Sequence, residues 1–178
     1  MSRIATPAIE TATGASAEVF TQIKKSIGKV PNLYATMGML QPAALKAMLQ
    51  ADATLAAGSL SKQDVEVIKL TVSSIGGCTY CVAAHSLIAK LTGLSPESLK
   101  HIRHGEPTGD ARHDALIAFV KQIAQTHGEL SDEAFAAIKA AGYTDAQLVE
   151  ISLAIAVITF TNTFNRINDT TVDFPAVD

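Results

Sequence analysis

The chain holds two cysteines, and both fall in one tetrapeptide, Cys78-Thr79-Tyr80-Cys81, with His85 four residues further on. A thiol reacts as its thiolate, and an ordinary cysteine, with a pKa of about 8.5, is only a few per cent ionised near neutral pH. Two features of the sequence can lower that value. A helix beginning just after Gly77 puts its positive end at Cys78, and an imidazole one turn beyond Cys81 can take or share a proton. Bringing the pKa down to about 7 takes about 2 kcal/mol, which the two effects together can supply. The second sulfur has its own use: a sulfenic acid formed on one cysteine condenses with its neighbour to a disulfide that a reductant reopens. On a continuous helix, Cys78, Cys81 and His85 lie within an arc of about 60° and share one face.

Glu66 stands upstream of this group, separated from it by Gly76-Gly77. The glycine pair lets the chain turn so that two helices pack side by side, which can bring Glu66 to His85 or Cys81 as the terminal base of a proton relay. By residue type alone Glu66 reads as an exposed charge on a surface helix, because glutamate is rarely buried. The thiol pair also has other readings. It can be two small buried apolar side chains. It can be half of a zinc site, with His85 as third ligand and His101, His104, His113 or His127 as fourth, although no second Cys-x-x-Cys or His-x-x-x-His pair completes the usual pattern. A structural disulfide does not suit a reducing compartment. Apart from that option the remaining histidines read as solvated, and Met37, Met39 and Met48 as core filler or oligomer contact. Tyr34 and Tyr80 are candidate walls of a substrate pocket, Tyr80 because it stands between the cysteines.

The elements that must position these groups are helical, because runs alternating β-branched and polar residues are almost lacking. Ser16 opens a helix running to Gly28, a short segment from Pro31 closes at Gly38, and Pro42 begins a helix ending at Gly58. Ser61 with Asp64 opens the helix that carries Glu66 and stops at Gly76-Gly77. A new helix starts near Cys78 and ends at Gly93. Ser95-Pro96-Glu97 starts one that ends near Gly105, and further helices span about Ala111 to His127, Ser131 to Ala141, and Thr144, boxed by Gln147, to about Asn168. The tail TTVDFPAVD is irregular. Ser61–His85 laid over Thr144–Asn168 aligns Ile68, Leu70, Val72 and Ile75 with Ile151, Leu153, Ile155 and Ile158, a weak internal repeat. Thr161 and Phe164 fall in it where the first copy has its cysteines.

The 178 residues suit one domain spanning 1–178, with the redox core at about residues 60–105. Apolar residues make up 48% and charged ones 17%, against about 25% charged in an average domain, which excludes intrinsic disorder and small disulfide scaffolds. With 14 Lys and Arg against 17 Asp and Glu, and a net charge of −3, no basic excess exists to bind nucleic acid. No apolar run approaches the roughly 20 residues of a membrane span, and Ile151 to Phe160 reads as a buried core helix. The N-terminus lacks the pattern of a signal peptide, so a cytoplasmic location is expected. The surplus of apolar surface points to a homo-oligomer.

Glu66, the pair Cys78-x-x-Cys81 and His85, embedded in VEVIKLTVSSIGGCTYCVAAHSLIAKLTG, resemble the AhpD-like alkylhydroperoxidases of the carboxymuconolactone decarboxylase superfamily. The upstream segment GKVPNLYATMGMLQPAALKAML is similar to the opening helices of peroxidase-related members, so the likeness covers about residues 28–105. The resemblance implies an all-α, compact multi-helix bundle that assembles into trimers or hexamers. It implies hydroperoxide reduction with Cys81 as peroxidatic thiol, Cys78 as resolving thiol, His85 as activator and Glu66 as relay base. It further implies a lipoyl-bearing or thioredoxin-like dithiol donor, and no metal, flavin or haem cofactor. Helix-start reasoning favours Cys78 as the more acidic thiol, whereas the histidine spacing and the family favour Cys81, the assignment taken here. A mycobacterial member has histidine just before the second cysteine, where this chain has Tyr80. The decarboxylase branch lacks the cysteine pair, which argues against lactone decarboxylation. The alternatives are a thiol-disulfide oxidoreductase or redox sensor and, less favoured, a decarboxylase-like or non-catalytic oligomer.

Overall fold

The computed structural model describes residues 2–177, and among them the regular structure is helical apart from a single 3₁₀ turn at Ile9–Thr11. In chain order the helices are α1 (Gly14–Ile27), α2 (Asn32–Leu40), α3 (Pro42–Ala56), α4 (Lys62–Ile75), α5 (Thr79–Leu91), α6 (Pro96–His104), α7 (Ala111–Thr126), α8 (Asp132–Ala140) and α9 (Asp145–Asn168). Their starts follow local chemistry. Ser61 and Asp64 cap α4 reciprocally, Thr144 and Gln147 do the same for α9, and Ser95, Asp110 and Ser131 accept the first free N–H groups of α6, α7 and α8. Two expectations change. Ser16 lies inside α1 and donates to the Gly38 carbonyl at 2.7 Å. Gly38 does not close α2 but lies within it, because a Cβ there would run into the Phe20 ring.

Helix α4 is the axis of the bundle and packs on α5, α7 and α9. Val67, Ile68, Leu70 and Val72 are buried on it, but so are Asp64, Glu66 and Lys69. A buried charge is tolerated only when paired and hydrogen-bonded, and each of the three meets that condition. Asp64 accepts from the Tyr143 hydroxyl at 2.6 Å and from Ser61, with the Arg112 guanidinium at 3.5 Å. Glu66 meets His85 at 2.8 Å, and Lys69 meets Asp52 at 2.6 Å. The exposed-charge reading of Glu66 therefore does not hold.

Helix α9, expected as a buried core helix over Ile151 to Phe160, is buried along one side only. It buries Ile151, Ala154, Val157 and Ile158 but exposes Val149, Phe160 and Ile167, and it is the one helix among the described residues with the length and apolar composition of a membrane span. Its end anchors both termini. The fully buried Asn168 accepts from the N–H of Ile4 through its side chain and from that of Arg3 through its carbonyl. The tail after it is irregular yet docked: Asp173 accepts from the Asn32 N–H and Lys29, and Phe174 stands edge-on to the Tyr80 ring.

Candidate active site

Gly77 makes the site possible. Its φ of +63° turns the chain out of α4 within two residues, a conformation glycine adopts without steric cost. The chain re-enters a helix at Thr79, so Cys78 is the N-cap of α5 rather than a member of it. From that place its sulfur accepts the Cys81 N–H at 3.4 Å and lies 2.8 Å from the Cys81 sulfur. Both thiols are free and 2% exposed.

These contacts divide the pair. A hydrogen bond from the Cys81 thiol, helped by the Cys81 and Tyr80 N–H groups and the Arg166 charge and opposed by burial, brings the Cys78 pKa down to about 7. Cys81 moves the opposite way, pushed up by its hydrogen bond to Cys78, by burial and by the Cys78 charge, while Asn165 and Thr161 pull it back. The charge at rest therefore belongs on Cys78. Helix-start reasoning had this direction right, and Cys81 is the protonated partner.

Cys81 opens into an apolar cavity of about 600 Å³ between α1, α2, α3 and α5. Glu66, His85, Tyr34 and Tyr80 reach the same cavity, so the structure brings together five of the six residues singled out from the sequence. His85 Nδ1 is hydrogen-bonded to Glu66 Oε2 at 2.8 Å, and this pair is itself largely shielded from solvent. Burial, followed by the Asp52 and Glu66 charges, holds the Tyr34 phenol protonated and so a donor. Tyr80 is likewise kept protonated, mainly by burial. Its hydroxyl donates to Asp173 at 2.8 Å and accepts from the Leu33 N–H, which fixes the ring as a wall.

Cys78, the sixth residue, does not share this cavity. Because it precedes the helix, it faces an open groove of about 1180 Å³ between the α4–α5 turn, the end of α7 and α9. Tyr80 lines both spaces. The one-face expectation fails for Cys78 because it assumed helical geometry one residue too early.

Several contributors were not legible in the sequence. Asn165 of α9 donates to the Cys81 sulfur at 3.2 Å, and Asp52 and Lys69 form an ion pair on the cavity wall. They are brought in by tertiary packing, and no local motif marks them. His113 is buried beside Asp64 and Asp110 rather than solvated as expected, because those carboxylates partner its ring, and His101 lies near Glu106. Among the described residues no group of three or more His, Cys, Asp or Glu is placed to hold a metal ion.

The model of the carboxymuconolactone decarboxylase family matches residues 42–122, the stretch that carries Glu66, Cys78, Cys81 and His85. The thiol-bearing part of the chain is thus similar to the carboxymuconolactone decarboxylase family, and the fold around it is AhpD-like. The alkylhydroperoxidase AhpD core of an uncharacterized peroxidase-related protein from Ralstonia eutropha JMP134 superposes with a TM-score of 0.84 at 21% identity, over 97% of this chain and 92% of that one. A peroxidase-related protein from Silicibacter sp. TM1040 gives 0.80 at 21% identity, over 96% and 91%. The debrominase Bmp8 gives 0.80 at 22% identity, over 96% and 92%, so one fold serves more than one chemistry. No curated protein matches the chain.

Proposed function

We infer that the protein is a thiol-dependent peroxidase that reduces hydroperoxides, organic ones above all, through a Cys78–Cys81 pair cycling between dithiol and disulfide. The observation that carries this reading is the joint placement of Cys81 and the His85–Glu66 pair on one apolar cavity. An organic hydroperoxide buries its hydrocarbon body there with its oxygens beside the sulfur. His85, backed by Glu66, draws the proton from Cys81, and the thiolate attacks the terminal peroxide oxygen. The O–O bond breaks, the proton passes to the departing oxygen, and alcohol or water leaves. Cys78, already the more acidic thiol, attacks the sulfenic sulfur, and hydroxide departs as water. Two thiols and one hydroperoxide thus become a disulfide, an alcohol and water.

The test is free-thiol loss and intact mass of the reduced protein mixed with one equivalent of cumene hydroperoxide, against a Cys81→Ser control. Loss of both thiols with a mass drop of about two daltons, absent in the control, is expected for a peroxide-driven disulfide. Thiols that outlast free glutathione would sink the reading. One observation then favours thiol-disulfide exchange instead: the acidic thiol is the one on the open groove, as an exchange nucleophile should be. Because Bmp8 is a debrominase, and a cysteine-to-alanine form of it was solved with 2,3,4-tribromopyrrole, a brominated pyrrole belongs beside the peroxide as a second oxidant. The same reading includes a dithiol donor and assembly with further copies through outward apolar residues such as Val149 and Phe160.

A further inference from the structure

Among the described residues, each of the two large cavities meets one sulfur. The apolar cavity is lined by Cys81 and not by Cys78, and the groove by Cys78 and not by Cys81. Tyr80, held by Asp173, Leu33 and Phe174, stands between them. The two spaces also differ in chemistry. The cavity has an apolar lining in which each charged side chain has an opposite partner, Glu66 with His85, Asp52 with Lys69 and Lys29 with Asp173. The groove is flanked by the guanidinium groups of Arg3 and Arg166 against the single carboxylate of Asp169. Arg166 is fixed there by donating to the Gly76 carbonyl at 2.7 Å, and Arg3 by donating to the Ile167 carbonyl at 3.2 Å.

We propose that the two half-reactions use opposite sides of the α5 start: hydroperoxide reaches Cys81 through the cavity, and an anionic dithiol reductant reaches Cys78 through the groove. The inference rests on the peroxidase reading for its oxidative half, while its reductive half needs only the disulfide. In that half one thiolate of the donor attacks the Cys78 sulfur along the S–S axis. The Cys78–Cys81 bond breaks, and Cys81 leaves into the cavity, where it takes a proton from His85. Its high proton affinity makes it leave as the thiol. The donor's second thiolate then attacks its own sulfur in the mixed disulfide, releasing Cys78 as thiolate and the donor as a cyclic disulfide. Two electrons pass from donor to protein. The arginine pair draws in an attacking group that is already negative, and the N–H groups at the helix start hold the Cys78 thiolate that is released.

The experiment separates the two sides with bulk placed on exposed residues that line each space. Thr163→Trp narrows the groove and Ile88→Trp the cavity mouth, and Thr159→Trp is a second groove variant should the first fail to fold. Oxidation of reduced protein by cumene hydroperoxide, and reduction of disulfide made with diamide, are timed separately, so a failed peroxidase reading leaves the second measurement intact. Thr163→Trp is expected to slow reduction by dihydrolipoate about tenfold and to leave peroxide oxidation unchanged, with the reverse for Ile88→Trp. Reduction by dihydrolipoate should also slow more steeply with added salt than reduction by dithiothreitol, whose attacking form lacks the carboxylate and so carries one negative charge fewer. Equal slowing of both half-reactions by either variant would overturn the proposal. So would faster release of thionitrobenzoate by dihydrolipoate from the mixed disulfide made on Cys81 of Cys78→Ser than from the one made on Cys78 of Cys81→Ser.

Discussion

Helix α9 and the pair α4–α5 are built on one pattern and end differently. Each opens with a reciprocal capping box, Ser61 with Asp64 and Thr144 with Gln147, followed by apolar residues at the same spacing. Helix α9 then runs unbroken through Thr159 and Phe160, where the other segment has Gly76 and Gly77 and stops. In the alignment Glu66 falls on Val149, which is 71% exposed, and the cysteines on Thr161 and Phe164. The intact helix is what the broken one leans on. Its Arg166 side chain holds the Gly76 carbonyl, Asn162 accepts from Ser73, and Asn165 donates to Cys81. The comparison teaches that the reactivity comes from a backbone event. A two-residue break creates a second helix start, and that start places Cys78 where the Cys81 thiol, followed by the first N–H groups of α5, lowers its pKa.

The sharpest break in the comparison removes the sulfur itself. Cys81→Ser is expected to abolish peroxide-driven turnover, and Cys78→Ser to allow a single turnover that strands a sulfenic acid, read by intact mass with a sulfenic-acid trap. Next is the buried pair that α9 does not reproduce. Glu66→Gln keeps the shape and a hydrogen bond to His85 but removes the charge, and it should slow disulfide formation about 10²-fold while moving the melting temperature little. His85→Gln should do the same. Its thiol alkylation profile should show Cys81 harder to ionise than in the wild type. Full activity in Glu66→Gln would remove the relay from the mechanism.

A smaller effect is expected from closing the break. Replacing Gly76-Gly77 by the Thr-Phe of α9 penalises the left-handed conformation at position 77 by about 1 to 2 kcal/mol and so favours a continuous helix without the second start. The Cys78 pKa should return towards the ordinary value of about 8.5 and cut the thiolate at neutral pH about tenfold, measured by the rate of iodoacetamide alkylation. An unchanged alkylation rate would show that the neighbouring sulfur alone sets the acidity.

The helical elements were legible because helix ends are local chemistry. Ser95-Pro96, Asp110 and Thr144 each declare a start within a few residues, and Gly28, Gly77 and Gly105 each supply a left-handed stop. Glu66, Cys81 and His85 could be grouped for the same reason, since one turn and one helical spacing connect them. What stayed hidden is long-range. Asn165 and Asp173 reach the site from the far end of the chain, and nothing near them in sequence marks a thiol or a tyrosine as their partner. The direction of Cys78 was missed by a single residue of register, because an N-cap side chain points away from the face that the following turns share. The resting charge followed from that register, since only a thiol placed outside the first turn can accept the N–H groups of that turn.

The finest test of the comparison is the share of α9 in the acidity of Cys78. Alkylation of the reduced protein should rise about tenfold per pH unit below a midpoint near 7 and level off above it, because only the thiolate reacts and its fraction grows as pH climbs through the pKa. Arg166 contributes through its charge, behind the Cys81 hydrogen bond, and its side chain is exposed, so solvent and salt screen it. Arg166→Gln should therefore raise the midpoint by no more than about half a unit, and less at high salt. A rise of more than a unit would mean that the intact helix, through Arg166 and the Gly76 carbonyl it holds, sets the geometry of the break itself. The two segments would then have to be treated as a single acid-base unit rather than as a reactive helix resting on a passive one.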